Sequence, residues 1–129
     1  MIYMFLADGF EEVEALCPLD ILRRAGLEVT TVGIGGKDVI QGAHGITVHA
    51  DIPDVMYRDN APDMIILPGG MPGSTNLDES KTVDAALKVA CKKGAFLCAI
   101  PICAPAYFCP GQIALSLMWK LTVGRKSSM

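Results

Sequence analysis

Three short runs of apolar residues constrain this chain more than any other feature: Ile2–Ala7, Met64–Leu67 and Ala95–Ile100. Each is continuous rather than alternating, the pattern of a strand buried on both faces. Between them lie segments of helical character. Phe10–Ala25 carries Glu11 and Glu12 at its start and Arg23-Arg24 at its end, as the helix dipole favours, and Gly26 follows as a stop. Ser80–Lys93 places Val83, Leu87, Ala90 and Cys91 on one face, with an Asp84–Lys88 pair on its surface and Gly94 closing it. Strand–helix alternation of this kind predicts a parallel sheet covered by helices on both sides.

Between the first and second run, Leu27–Val32, rich in β-branched residues, predicts a further strand, ended by Gly33, Gly35 and Gly36. Val39-Ile40, the turn Gly42-Ala43-His44-Gly45 and Ile46–Ala50 predict a small hairpin. Asp51–Asp59 is expected to be a weak helix or loop, and Met71–Asp78 a loop. Pro18 denies the Glu14 carbonyl its helical donor, so a kink is expected near Glu14.

With 129 residues the chain makes one domain. A net charge of −3 leaves no basic footprint for nucleic acid. Five cysteines, none spaced Cys-x-x-Cys, form neither a disulfide framework nor a metal set, and the N-terminus lacks the basic region of a secretory signal. A cytoplasmic protein without metal or cofactor is expected. Gly94–Trp119 contains no charge and could span a bilayer by length, but Pro101, Pro105 and Pro110 interrupt any helix there, so no membrane span is expected.

Chemistry points to the carboxyl ends of the three apolar strands, where open α/β sheets bind ligands. Glu14 lies just after the first, Gly69-Gly70 just after the second and Cys103 just after the third. A carboxyl group, a backbone amide and a thiol would therefore meet. The thiol would sit at a sharp strand-to-helix turn, the device that presents the nucleophile of α/β-hydrolases. Read without function, Cys103 is a small core residue, Glu14 a surface carboxylate and His44 a solvated turn residue.

Leu6-Ala7-Asp8-Gly9-Phe10-Glu11-Glu12-Val13-Glu14, Pro18–Gly26 and Asp63–Gly73, followed by the strand leading to Cys103, resemble the DJ-1/PfpI (ThiJ/PfpI) superfamily over residues 1 to 100. The resemblance implies a flavodoxin-like three-layer α/β sandwich that usually forms homodimers. It also implies a reactive cysteine, Cys103, beside a buried glutamate, Glu14, with oxyanion donors at Gly70 and Ala104. His44 is a further candidate, reaching the site from the same or a neighbouring subunit. The implied activity is a glyoxalase III or protein-deglycase reaction on small reactive aldehydes or glycated substrates. The alternatives are a redox-responsive, chaperone-like protein and an inactive truncated fragment. A thiol peptidase or amidotransferase would need a histidine downstream of the cysteine, and both histidines lie upstream.

The chain departs from the family pattern near residue 100. Pro101-Ile102 stands between Ala99-Ile100 and Cys103, where the family runs directly from isoleucine to cysteine. Tyr107–Trp119 reads as a helix damaged by Pro110-Gly111, and the residues after it as a tail. The expectation is a partial domain over residues 1–106, with a divergent, incomplete C-terminal segment over 107–129.

Overall fold

The computed structural model describes residues 1–58 and 61–99. Strand β1 (Ile2–Leu6) is followed by α1 (Glu12–Arg24), β2 (Val29–Gly33), the hairpin strands β3 (Val39–Gln41) and β4 (Thr47–His49), and a two-residue strand β5 (Ile52–Pro53). A single 3-10 turn (Asp54–Met56), β6 (Met64–Leu67), α2 (Gly73–Asp78), α3 (Lys81–Lys93) and β7 (Phe96–Ala99) complete it. The main sheet has the order β5-β2-β1-β6-β7, every pair parallel. Among the described strands, the first of the chain is thus the middle of the sheet.

Alternate residues of the buried strands divide into two cores, which explains why the runs lack polar positions. Tyr3, Phe5, Ile65, Leu67, Leu97 and Ala99 face one side, packed with Leu77 of α2 and Val83, Ala86, Leu87 and Ala90 of α3. Ile2, Met4, Leu6, Ile66 and Cys98 face the other, packed with Phe10, Ala15 and Leu19 and with Ile40 of the hairpin. Helix, sheet and helix form three layers, the covered parallel sheet that strand–helix alternation predicts and the flavodoxin-like sandwich that the resemblance implies. The hairpin pairs Val39 with His49 and Gln41 with Thr47, also as expected.

Two local expectations are corrected. Met71–Asp78 is not wholly loop, because Gly73–Asp78 forms α2. Its six residues are too few to show helical periodicity, and it forms by burying Gly73, Ser74 and Leu77 against the sheet. Asp51–Asp59 begins as an edge strand, where Pro53 is tolerated because the missing donor can face outward. Helix α1 runs continuously from Glu12 to Arg24 across Pro18. Among the described residues no helix is long and apolar enough to cross a membrane. Cys103, Ala104, the boundary at residue 106 and most of the uncharged stretch lie outside the described residues.

Candidate functional site

The site is built where α1 begins, against the loop that leaves β6. Glu11 is the N-cap of α1, with extended backbone, and its carboxylate accepts a hydrogen bond from the Glu14 amide at 2.9 Å. This fixes the first turn and brings Glu14 round to the loop. There the Gly69 amide donates to Glu14 Oε2 at 3.0 Å, while the Gly69 carbonyl accepts from the Glu11 amide at 2.9 Å. Two glycines are needed for so close an approach. A Cβ on Gly69 would lie 2.4 Å from Glu14 Oε2. Gly70 has φ +101°, and a Cβ on it would meet the Glu11 amide nitrogen at 2.5 Å. The structure therefore brings together Glu14 and the Gly69-Gly70 loop.

Glu14 is half-buried, and its carboxyl is pushed above the usual range, first by loss of solvent and then by the neighbouring Glu11 charge. The hydrogen bond from Gly69 works against that rise without cancelling it. A carboxyl group held toward its acid form can donate or transfer a proton.

His44 lies at the turn between β3 and β4, with its side chain 69% exposed. Its ring is tied to neighbours of Glu14: Nδ1 is 3.1 Å from Glu12 Oε1 and 3.6 Å from Glu11 Oε1. Glu12 itself is buried and accepts from the backbone amides of His44 at 2.9 Å and Ile46 at 3.2 Å. Burial alone would raise its pKa. Hydrogen bonds from the His44 ring and from the amides of Glu12, Ile46 and His44 outweigh that and lower it. Gly42 completes this clamp, since a Cβ there would lie 2.4 Å from the Glu12 carboxyl carbon. Ligand atoms of Glu11, Glu12 and His44 lie within 4.8 Å of one another. The Glu12 oxygens, however, already serve as the anchor of the turn.

Sequence reasoning assigned Glu11 and Glu12 only to the helix dipole. The missed signal was the pair of glycines at 42 and 69, each opposite a carboxylate. Cys98 of β7 is buried in the core on the α1 side, and burial pushes its thiol up to about 11.

This parallel sheet, covered on both sides and with a carboxyl group at its strand ends, defines a doubly wound α/β protein of the flavodoxin-like class. The profile of the DJ-1/PfpI family matches residues 1–116, and the chain belongs to that family. It is 37% identical over 86 residues to the Parkinson disease protein 7 homolog of Danio rerio, covering 66% of this chain and 46% of that one. It is also 37% identical over 84 residues to a deglycase of Pyrococcus abyssi, covering 64% and 49%. The crystal structure of Drosophila melanogaster DJ-1beta superposes with a TM-score of 0.77 at 30% identity, over 81% of this chain and 56% of that one. The chain thus spans about half the length of these relatives.

Proposed function

We propose that this chain acts on small reactive aldehydes or on their adducts with protein, with Cys103 as nucleophile and Glu14 as its acid–base partner. The observation that carries this reading is the hydrogen bond from Gly69 to Glu14 Oε2. It sets a carboxyl group of raised pKa beside a glycine loop at the strand ends. The name of the Pyrococcus abyssi relative, a deglycase, supports the same chemistry.

Methylglyoxal presents its aldehyde carbon to the thiol. The thiolate of Cys103 forms a sulfur–carbon bond at the aldehyde carbon, and the displaced electron pair becomes an oxyanion. The amides of Gly70 and Ala104 stabilise that oxyanion, and Glu14 supplies its proton. Glu14, now a carboxylate, removes the proton from the same carbon to give an enediol and returns it to the adjacent carbon, while the hydroxyl proton of the attacked carbon passes to the former ketone oxygen, leaving a thioester. Water cleaves the thioester, giving lactate and the free thiol. His44, held at the rim by Glu12, contacts the substrate. No cofactor takes part. The protein works in the cytoplasm as a homodimer, the assembly that the family resemblance implies.

Turnover of methylglyoxal by the purified chain is the test. Cys103→Ser should abolish it, and Glu14→Gln should lower kcat by on the order of a hundredfold or more. Full turnover by Cys103→Ser would overturn the reading, and no turnover by the parent chain would favour an inactive fragment. A second reading, a redox response in which Cys103 is oxidised to the sulfinate, draws on the oxidized form in which Toxoplasma gondii DJ-1 was solved. Mass spectrometry after limiting peroxide would distinguish it, since it requires two added oxygens on Cys103.

A further inference from the structure

We propose that Glu11 is a positioning residue of this site, holding the Gly69-Gly70 loop through its backbone and Glu14 through its carboxylate. The inference rests on the reading of Glu14 given above, and the geometry that carries it is a closed circuit of three hydrogen bonds. The Glu11 amide donates to the Gly69 carbonyl at 2.9 Å, and the Gly69 amide donates to the Glu14 carboxyl at 3.0 Å. The Glu14 amide then donates back to the Glu11 carboxylate at 2.9 Å. Each residue gives one bond and receives one.

The circuit fixes two parts of the site together. Gly69 is held by both its backbone groups, so the peptide leading into Gly70 has a set orientation. Gly70 packs against Glu11 so tightly that a Cβ would strike the Glu11 amide nitrogen. An oxyanion donor at Gly70 is useful only if it is aimed before the charge develops. Glu11 supplies that aim from outside the reacting atoms.

The same residue also sets the charge beside Glu14. Among the described residues, Glu11 of α1 is the charged group acting on Glu14, with His44 Nδ1 of the hairpin turn 3.6 Å from Glu11 Oε1; the glycine loop carries no titratable side chain, and the proposed function adds the Cys103 thiol. Glu12 is engaged by the amides of the turn, which leaves Glu11 as the carboxylate acting on Glu14. Like charge disfavours ionisation, so Glu11 helps keep Glu14 in its acid form.

Two variants of the full chain separate alignment from charge. Glu11→Gln keeps an oxygen that can accept from the Glu14 amide but removes the charge, whereas Glu11→Ala removes both. Carbon-13 carboxyl NMR follows the titration of Glu14 directly, and nitrogen-15 spectra follow the amides of Gly69 and Gly70. Glu11→Gln should move the Glu14 titration to lower pH with the two glycine amides unmoved. The alkaline limb of the kcat profile should retreat with it, lowering kcat several-fold at a pH on that limb. Glu11→Ala should in addition displace both glycine amides. A Glu14 curve in Glu11→Gln that superimposes on the parent curve would overturn the proposal. The NMR readout needs no turnover, so a failed Cys103 assignment would appear separately as activity surviving in Cys103→Ser. If Glu11→Ala does not fold, Glu11→Gln alone decides the charge, and Glu11→Asp, with a shorter reach, tests alignment by the same amide shifts.

Discussion

Glycine and carboxylate are matched one against one around the candidate site, and single substitutions should expose the matching. Gly70→Ala would put a Cβ 2.5 Å from a backbone nitrogen at φ +101°, so neither the neighbour nor the backbone can give easily. The expected cost is about 1–3 kcal/mol, read from the midpoint of urea unfolding. Cysteines should differ just as sharply. Cys98 is buried with its pKa near 11, so at pH 8 only about one molecule in a thousand carries its thiolate. Cys17 is exposed and free. A limiting dose of iodoacetamide should therefore alkylate Cys17 well ahead of Cys98, and equal labelling in peptide maps of the folded protein would refute this. The meeting of Glu14 with the Gly69-Gly70 loop was legible in the sequence because both follow apolar runs that lie side by side in a parallel sheet. Glu11 was not, because a cap and a dipole partner look alike until the chain is folded.

Elements are held to one another by a few polar staples that add to the apolar packing. Asp51, just before β5, accepts from the Thr31 amide at 2.8 Å and hydroxyl at 2.9 Å on β2, and from Arg23 at the end of α1 at 2.7 Å. Arg23 also donates to the Val29 carbonyl at 2.8 Å, so helix, central sheet and edge strand share one cluster. Desolvation raises the Asp51 pKa, but hydrogen bonds from Thr31 and the Arg23 charge outweigh it and leave the carboxyl below its ordinary value. A depressed folded pKa means stabilisation that is complete above the unfolded value, near 4, and lost as pH falls through the lower folded value. Asp51→Asn should flatten the acid side of a stability-versus-pH curve, measured by thermal melting, and change its slope little above neutrality. On α3, the Ser80 hydroxyl accepts from the Val83 amide at 3.3 Å, and Ser80→Ala should cost about 1 kcal/mol. The Asp84–Lys88 pair was readable in advance and is observed at 2.8 Å. Helix α2 was not, since six residues give no period and its reason for folding, Leu77 against the sheet, is tertiary.

At the scale of the whole molecule, the sheet order was the part least visible in the chain. Apolar runs announce burial on both faces but not neighbours, and nothing local indicates that β1 pairs with both β2 and β6. Hydrogen exchange should follow the topology, with the amides of β1 and β6 slowest and those of β5 among the fastest of the sheet. Protection in β5 equal to that in β1 would contradict the edge assignment. The central place of β1 also bears on synthesis. Tyr3 lies beside Thr30 on one side and Ile65 on the other, and the Met1 amine meets Asp63 across the same seam. A ribosome adding about 5–20 residues per second needs roughly 3 to 12 seconds to pass from the first strand to β6. During that interval the nascent chain can complete only one flank of its first strand. Its other flank is open to any extended peptide in reach, so the molecule's most protected strand is, at birth, its most vulnerable.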